Sequence, residues 1–297
     1  MVDMTSITTK RLAFTNITEE DALFMLELVN TDGWLKFIGD RNVHSEQEAI
    51  SYIKKILDNK SINYWVIRIK ETGIPIGVLS FNKRDFLDFF DLGFSLLPSF
   101  KSKGYAYEAA NALINELPLK HFESTIVALT NPDNEVSINL LKKLGFQLDK
   151  QIVQDRKHSN VFKADTNKLA IDSLAKMFFS VFCNKNGNNP DWEILKNICI
   201  PEILVINKTK AAESIYNLDS FISPRKKLLS DGTLIDFEEF EISEETFLFN
   251  SIAQRKSIYE KSGILSGKQF KAQGTKLTQF LKTNSGWKIS SVIWEDE

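Results

Sequence analysis

The stretch LLPSFKSKGYAYEAANALI, residues 96–114, contains the residue types and spacing that point most directly to chemistry. A strand-like apolar run ends at Pro98, lysines stand at positions 101 and 103, and Gly104 leads into an alanine-rich stretch with helical spacing. The first N–H groups of a helix have no partner within the helix, and a glycine lets a bulky anion approach the backbone. The pattern therefore indicates a phosphate-binding turn, with a solvated lysine loop before a helix as the alternative.

Other kinds of site have little support. The turn is not a GxxxxGK[ST] loop, and it has one glycine where the dinucleotide fingerprint has three. The histidines, His44, His121 and His158, are far apart, and Cys183 and Cys199 lack the spacing of a zinc site. We expect no metal, no Ser-His-Asp or Cys-His nucleophile, and two reduced, buried cysteines.

The composition is that of a globular protein. The 297 residues are 43% hydrophobic and 26% charged, and 37 Lys plus Arg nearly balance 39 Asp plus Glu. Without a broad basic surface, we expect neither nucleic acid nor a membrane as partner. No apolar run approaches the roughly 20 residues of a membrane span, and the N-terminal MVDMTSITTKRL lacks the apolar core of a signal peptide. These features predict a cytoplasmic protein.

The elements that must position the turn alternate between strands and helices up to about residue 165. The patterns indicate strands at KRLAFTNIT, NYWVIRIKETGIPIGVLSF (two, joined at Gly73), 88–97, STIVALT, FQLDKQIV and NVFKAD, and helices at EEDALFMLELVN, EQEAISYIKKIL, 104–117 and 134–144. A long amphipathic helix, DTNKLAIDSLAKMFFSVFC, follows, then a polar loop, a helical piece at 213–230, and the extended runs TLIDFEEFEI, TFLFNSIAQRKSIYEK, KQFKAQGTKLTQFLKT and WKISSVIWEDE. We expect two α+β domains, 1–165 and 166–297, joined by polar residues near 165–168.

Two motifs in the first domain resemble those of the GNAT superfamily of N-acetyltransferases, specifically its Rim-type branch, which acts on ribosomal proteins and related amines. The pyrophosphate signature of this family, Q/R-x-x-G-x-G/A, stands here as residues 101–106 with lysine in the first position. The second signature, Asn-x-x-Ser and a Leu-Gly-Phe helix end, is present at Asn134, Ser137, Leu144, Gly145 and Phe146. The early WLKFIGDRNVHSEQEAISYI is also similar to that branch, and the resemblance covers residues 8–165.

This resemblance implies a mixed, mostly antiparallel sheet flanked by helices, and direct transfer of an acetyl group from acetyl-CoA to a primary amine. In the family, the strand before the turn separates from its neighbour, and the cofactor binds in the gap. A free N–H near Leu96 is expected to face the thioester carbonyl. The residues expected to bind acetyl-CoA are Leu96, Leu97, Lys101, Ser102, Lys103, Gly104, Tyr105, Ala106 and Asn134.

The resemblance leaves proton transfer and the acceptor open. Asp91 is the first candidate for the base, with Asp88 next and a water as a third route; surface acids without a role are the alternative. Many relatives have a tyrosine where Leu141 stands, so Ser137 or a water must supply the proton to the thiolate. The acceptor is a protein N-terminus or a small amine, and its pocket is expected to lie between the first two helices and the final hairpin. The candidates for lining it are Trp34, Phe37, Asp40, Arg41 and His158, although Trp34 and Phe37 are equally suited to the core.

The second domain resembles the SnoaL-like branch of the nuclear-transport-factor-two-like fold, over nearly all of residues 168–297 and without a short diagnostic motif. The resemblance implies a cone-shaped α+β domain with a curved antiparallel sheet that binds a ligand or forms a homodimer. Arg225, Glu239, Arg255 and Tyr259 are the polar residues that could point into the cone, but surface or rim positions are expected for each. For the whole chain, the alternative to an acetyltransferase is a non-catalytic, acetyl-CoA-binding regulator.

Overall fold

The computed structural model describes residues 5, 7–117, 124–154 and 157–297. The chain divides into two units, Met1–Thr166 and Asn167–Glu297, one residue beyond the expected boundary. The backbone N–H and the hydroxyl of Thr166 both donate to the carbonyl of Ser124, at 2.7 and 3.2 Å, which attaches Thr166 to the first unit. His121 lies outside the described residues.

The first unit is built on one mixed sheet. Its strands are β1 Leu12–Asn16, β2 Ile62–Ile69, β3 Pro75–Lys83, β4 Phe90–Leu96, β5 Thr125–Thr130, β6 Gln147–Gln154 and β7 Lys157–Asp165. They lie in the order β1-β2-β3-β4-β5-β7-β6, and β4 and β5 are the parallel pair. The expected α+β class with a mixed, mostly antiparallel sheet is confirmed for this unit.

Helices cover this sheet. They are α1 Ala22–Val29, α2 Asp32–Phe37, α3 Glu46–Asp58, α4 Tyr105–Glu116 and α5 Glu135–Lys143. Ser45 begins α3 by accepting the backbone N–H of Glu48, as the capping pattern predicts. The sequence analysis did not predict α2, because six residues are too few for a clear helical period. Met25 of α1 and Ile53 of α3 pack against Val66 and Val78 of the sheet.

The two central strands separate part way along. β4 pairs with β3 along its whole length, from Phe90 opposite Lys83 to Leu96 opposite Gly77. Its pairing with β5 is limited to Phe90 opposite Ile126 and Asp91 opposite Val127. Beyond Asp91, therefore, β4 and β5 diverge and leave a gap in the sheet.

The second unit has one six-stranded sheet and three helices. The helices are α6 Thr166–Ser180, which begins at the last residue of the first unit, α7 Glu193–Ile198 and α8 Leu218–Ser230. The strands are β8 Cys199–Lys208, β9 Glu213–Tyr216, β10 Leu234–Phe249, β11 Ile252–Leu265, β12 Lys268–Thr283 and β13 Gly286–Asp296, in the order β10-β11-β12-β13-β8-β9. Phe178 of α6 and Phe221 of α8 pack over Phe280 and Val292 on one face of this sheet.

Three expectations for the second unit were wrong. The sheet is not purely antiparallel, because β13 and β8 run parallel. Residues 213–216 form β9 rather than the start of a helix, and α7 and β8 were not predicted at all. The turn at 250–251 lies inside the run TFLFNSIAQRKSIYEK, which looks continuous because apolar residues stand on both sides of the turn. None of the helices in the described part of the chain is long and apolar enough to cross a membrane.

Candidate active site

The turn before α4 has the backbone conformation of an anion site. Ser102 and Gly104 both have positive φ, 60° and 82°, and Gly104 is the N-cap residue of α4. Glu108 is the first residue of the helix whose N–H is bonded, to the carbonyl of Gly104 at 3.0 Å. Within the described residues, the N–H groups of Tyr105, Ala106 and Tyr107 have no hydrogen-bond partner. Three aligned donors at the positive end of a helix favour an anion.

The two lysines of the turn extend away from these donors. A Cβ built on Gly33 would lie 2.8 Å from Lys101 Nζ, so this side chain reaches α2. Lys103 Nζ lies 5.4 Å from the centre of the Phe100 ring. Both lysines are exposed and add positive charge at the edge of the turn.

An arginine near the N-terminus of the first unit donates a hydrogen bond to the turn. Arg11, next to β1, donates from Nη1 to the carbonyl of Lys103 at 3.0 Å and from Nε to Glu108 Oε2 at 2.7 Å. Its guanidinium lies 4.4 Å from the centre of the Tyr105 ring. Burial opposes ionisation of Glu108, but hydrogen bonds from Thr9 and Arg11 outweigh it and lower the pKa of that carboxyl. Arg11 and Glu108 were not predicted as site residues, since they are 97 positions apart and form no short motif.

The gap between β4 and β5 has backbone donors along one side. The N–H of Leu97 donates to the carbonyl of Ile76 at 2.9 Å, which fixes which residues of β4 bond to β3. Because antiparallel strands alternate the direction of these groups, Phe94 and Leu96 direct their N–H groups to the β5 side. The side chains of Leu96 and Leu97 are buried. A free backbone donor near Leu96 is therefore compatible with the register.

Asp91 lies at the point where β4 and β5 separate, and its side chain is 2% exposed. Its Oδ2 accepts from Arg84 Nε at 2.6 Å, and its Oδ1 accepts the N–H of Leu129 at 3.0 Å. Burial raises the pKa of the Asp91 carboxyl, against the opposing effect of Arg84. Both oxygens thus have partners inside the unit, and the role of Asp91 as a base stays a prediction.

Arg84 connects this buried carboxylate to an open cleft of about 600 Å³. The cleft is lined by Asn59, Ser61, Ile62, Asn82, Lys83, Arg84, Asp85, Phe86 and Gln154. Asp88, the second candidate base, is exposed.

The second motif forms the start of α5. Asn134 Oδ1 accepts the N–H of Ser137 at 3.2 Å, so Asn134 is the N-cap of the helix. Ser137 is half-buried, and Leu141, one turn further on, is 1% exposed. A leucine has no proton to give, so the geometry offers no replacement for the tyrosine of many relatives at this position.

The acceptor candidates are only partly brought together. Trp34 is buried in the core, and within the described residues its Nε1 has no hydrogen-bond partner. Phe37 is half-buried, whereas Asp40, Arg41 and His158 are exposed.

One contact joins the two regions expected to frame the acceptor pocket. A Cβ on Gly39 would lie 3.2 Å from Lys157 Nζ, so the β6–β7 hairpin reaches the loop that follows α2. His158 is the next residue along this hairpin, on β7.

Surface or rim positions were expected for Arg225, Arg255 and Tyr259 of the second unit, and for Arg255 and Tyr259 this expectation was wrong. Arg255 is 4% exposed and donates to Glu241 Oε1 at 2.9 Å and to Asp172 Oδ1 at 2.7 Å. Tyr259 is fully buried and donates to Asp296 Oδ1 at 2.5 Å. Arg225 lies 3.9 Å from the centre of the Phe221 ring. Alternation along β11 places Arg255 and Tyr259 on the face that the helices cover.

Glu239 belongs to a buried ion pair. Lys276 Nζ lies 3.0 Å from Glu239 Oε2, and the two side chains are 5% and 10% exposed. The ammonium also lies 4.3 and 4.5 Å from the ring centres of Phe179 and Tyr259. Burial lowers the pKa of Lys276, and Glu239 opposes this effect.

The described residues include no group of three His, Cys, Asp or Glu side chains that could hold a metal ion. Cys183 and Cys199 are free thiols in the second unit. Burial raises the pKa of the Cys199 thiol to about 12, which keeps it protonated and unreactive at neutral pH.

Comparisons with known proteins match the first unit. Residues 11–147 match the family model described as acetyltransferase (GNAT) domain. The uncharacterized N-acetyltransferases YnaD and YoaA of Bacillus subtilis (strain 168) are 28% identical over 142 residues and 27% identical over 172 residues. These matches cover 48% and 55% of this chain, and 82% and 94% of the two relatives. The crystal structure of spermidine N-acetyltransferase from Vibrio cholerae in complex with CoA and spermine is 14% identical, with a TM-score of 0.48, and covers 54% of this chain and 99% of that one.

The family match spans the glycine turn, the gap between β4 and β5 and the start of α5. The N-terminal half of the chain is therefore a GNAT acetyltransferase domain, and the protein is an acetyltransferase.

Proposed function

We propose that the first unit binds acetyl-CoA at the turn 101–106 and transfers the acetyl group directly to a primary amine. The observation that carries this proposal is the turn itself. It combines two residues of positive φ with the unpaired N–H groups of Tyr105, Ala106 and Tyr107. A diphosphate fits this donor set, because its oxygens only accept hydrogen bonds and its charge is favoured at a helix N-terminus.

The thioester of acetyl-CoA is proposed to bind in the gap between β4 and β5. The N–H groups of Phe94 and Leu96 face it, and either one stabilises negative charge that develops on the carbonyl oxygen during attack by the amine. The remaining contribution of the site is to hold the amine and the thioester in reacting geometry. No acetyl-enzyme is part of this mechanism, since the amine is itself the nucleophile.

The residues that transfer protons are part of the same proposal. Asp91 is the first candidate for accepting the ammonium proton; because it is buried and each of its oxygens already accepts one hydrogen bond, Asp88 and a water remain alternatives. Ser137 or a water protonates the leaving thiolate, because Leu141 cannot. Asn134 would cap α5 and contact the cofactor at the same time.

The acceptor is proposed to be a protein N-terminus or a small amine, as in the Rim-type branch that the motifs resemble. The contact between Lys157 and Gly39 supports a pocket between the loop after α2 and the β6–β7 hairpin. Phe37, Asp40, Arg41 and His158 belong to these two segments or border them.

We further propose that the second unit is a SnoaL-like module that forms a homodimer. The face of its sheet opposite Arg255 and Tyr259 carries apolar side chains in neighbouring strands. Ile252 lies opposite Leu281, and Leu277 lies opposite Ile293. The exposed members are Leu204, Ile215, Phe247, Phe249, Ile252, Leu277, Leu281 and Ile293. An exposed apolar face of this kind indicates an interaction surface, and a twofold axis would bury it against its own copy.

One experiment tests the activity without a prior choice of acceptor. The full chain is incubated with cell extract and isotope-labelled acetyl-CoA, and acetylated species are identified by mass spectrometry. Labelled N-acetyl products that depend on the protein support the proposal. Binding of acetyl-CoA without any labelled product would contradict transfer and favour a regulator.

The homodimer has a separate test. Light scattering after size exclusion is expected to give twice the chain mass, and Phe249→Glu is expected to give the single mass. A wild-type chain that runs as a monomer at high concentration would contradict the dimer.

A further inference from the structure

We propose that Arg11 and Glu108 form a positioning pair that fixes the shape of the diphosphate-binding turn. This inference rests on the proposed binding of acetyl-CoA at residues 101–106. Neither residue belongs to the motifs that indicated the site, and neither supplies one of the backbone N–H groups proposed to bind the diphosphate.

The Glu108 carboxylate is held by two residues from the segment before β1. Its Oε1 accepts the hydroxyl of Thr9 at 2.5 Å and the backbone N–H of Arg11 at 2.9 Å. Its Oε2 accepts Nε of Arg11 at 2.7 Å, and Nη2 of Arg11 forms an ion pair with the same oxygen at 2.7 Å. Three hydrogen bonds and an ion pair on one carboxylate favour a single orientation, and this orientation also fixes the guanidinium.

The remaining end of Arg11 acts on the turn. Nη1 donates to the carbonyl of Lys103 at 3.0 Å. This carbonyl belongs to the peptide between Lys103 and Gly104, and Ser102 and Gly104 are the two residues with positive φ. In a trans peptide the C=O and the N–H point in opposite directions, so a carbonyl drawn towards Arg11 turns the N–H of Gly104 away from it. The bond therefore directs a donor towards the side on which the anion binds.

Arg11 also neutralises a negative charge close to the proposed anion site. Glu108 lies in the first turn of α4, where its negative charge would repel a diphosphate at the same helix end. The guanidinium neutralises this charge and stacks on Tyr105, 4.4 Å from the ring centre. Positive φ at Ser102 is unfavourable for a residue with a side chain and persists only where neighbours enforce it. The pair thus maintains in the free protein the backbone shape that binds the ligand.

The test compares two acetyl donors, of which only one carries the diphosphate and the adenosine phosphate that follows it. Acetyl-CoA contains both, whereas acetyl-pantetheine carries the same thioester without them. For Arg11→Met we expect acetyl-CoA to bind about tenfold more weakly or worse, the loss of one or two hydrogen bonds to a charged group. Acetyl-pantetheine should bind the variant and the wild type equally, and kcat at saturating acetyl-CoA should change much less than KM.

The chain offers a matched control. Arg68 of β2 donates to a carboxylate, a threonine hydroxyl and a glycine carbonyl, at Asp21, Thr15 and Gly73. Arg68→Met therefore removes an equivalent network away from the turn. It should lower Tm and leave the Kd of acetyl-CoA unchanged. Glu108→Gln keeps the shape of the side chain and gives a second variant should Arg11→Met not fold. It removes a negative charge near the diphosphate but also frees Arg11 from its carboxylate partner, and the loss of the fixed turn should outweigh the charge effect and weaken acetyl-CoA by several-fold, again without effect on acetyl-pantetheine.

Different results would overturn the positioning role of Arg11 and Glu108 and the proposed binding of acetyl-CoA at the turn. Equal losses for the two donors in Arg11→Met, or a loss of acetyl-CoA affinity in Arg68→Met as large as in Arg11→Met, would overturn the positioning role. A wild-type protein that binds acetyl-CoA no better than acetyl-pantetheine would instead show that no diphosphate site exists at the turn. Selective loss of acetyl-CoA affinity in both the Arg11 and the Glu108 variants supports the pair.

Discussion

In the turn before α4, three backbone N–H groups have no partner within the described residues, whereas inside the second unit the buried charges are bonded to one another. Arg255 contacts three carboxylates between 2.5 and 3.0 Å, Lys276 contacts Glu239, and Tyr259 contacts Asp296. The second unit is therefore much richer in buried ionisable side chains than the turn. Charge content alone would place the active site in the wrong unit.

The two regions differ in whether their polar groups already have hydrogen-bond partners. A buried polar group that already has its partners stabilises a fold and gains little from a ligand, while an unpaired donor gains a bond when an acceptor arrives. Arg11 lies where the two behaviours meet, since it donates to Glu108 and to the carbonyl of Lys103, while the N–H groups of Tyr105, Ala106 and Tyr107 have no partner within the described residues. We expect substitutions in the two regions to separate ligand affinity from stability.

The largest effect is expected at Gly104. Its φ of 82° disfavours any side chain, and a carboxylate at this position would repel a diphosphate and compete with Glu108 for Arg11, whose Nη2 lies 3.4 Å from the position of a Cβ. Gly104→Asp should abolish binding of acetyl-CoA in calorimetric titration while circular dichroism stays close to that of the wild type. Gly104→Ala is the matched control for backbone strain and should retain weak binding. Wild-type affinity in Gly104→Asp would mean that the turn is an ordinary solvated loop.

Lys276 is expected to show the opposite behaviour. Lys276→Met leaves Glu239 buried without its partner, and breaking one side of a buried ion pair costs about 3–5 kcal/mol. Chemical unfolding should show this loss in the second unit, and the Kd of acetyl-CoA should not change. Replacing both partners, Lys276→Met with Glu239→Leu, should recover most of the stability. A single variant that is as stable as the wild type, or one that loses acetyl-CoA affinity, would remove the contrast between the two regions.

Much of the first unit follows from local sequence. Capping patterns, apolar periodicity and glycines predicted α3, α4, α5 and most strands, because these signals act within a few residues. The turn at Gly104 and the helix that begins next to Asn134 were predicted for the same reason. The bonds of Arg11 to Glu108 and of Asp91 to the N–H of Leu129 were not, since each joins segments that only the folded sheet brings together.

The second unit was harder to predict for a different physical reason. Its long strands alternate between a covered face and an exposed face that is itself partly apolar, so the pattern does not distinguish inside from outside. Arg255 and Tyr259 were expected at the surface or rim because a folded strand leaves half of its side chains outside. They are buried because partners on α6, β10 and β13 complete their hydrogen bonds.

Asp91→Asn tests whether a buried, bonded carboxylate takes part in the chemistry. If Asp91 is the base, kcat at neutral pH should fall by about 100-fold, and activity should partly return at higher pH as solution supplies more free amine. The wild-type rate should fall as pH drops through the Asp91 pKa, which burial raises above its ordinary value, and the variant should lack this decline. An unchanged pH–rate profile would assign the role to Asp88 or a water.

Asp91→Asn is also expected to change how the stability of the fold depends on pH. A raised pKa means that folded Asp91 binds a proton more tightly than the unfolded chain does, so this group adds stability as pH falls towards the ordinary aspartate range. The asparagine variant should lack this gain. Thermal melts of wild type and variant across mildly acidic pH measure it, and parallel curves would contradict the raised pKa.

A smaller effect is expected at Lys103. Its ammonium lies over the Phe100 ring and is exposed, so it contributes charge at the edge of the turn rather than a fixed bond. Exposed ion pairs are typically worth about 0.2–1 kcal/mol, so Lys103→Ala should weaken acetyl-CoA by several-fold at most. Added salt should reduce the difference between the variant and the wild type. A loss as large as that of Arg11→Met would mean that Lys103 contacts the phosphates directly.

The smallest effect is expected from the two cysteines. Both lie in the second unit, and the buried thiol of Cys199 has a pKa of about 12, so neither is placed or ionised to carry an acetyl group. Cys183→Ala with Cys199→Ala should lower Tm slightly through lost packing around Cys199 and leave kcat for acetyl transfer unchanged. Rapid quenching of the wild-type reaction, followed by intact-mass measurement, should detect no acetylated enzyme on the route to product. An acetyl-cysteine that forms and decays at the rate of turnover would replace direct transfer with a two-step mechanism, and would show that bonding satisfaction in the second unit does not exclude catalysis there.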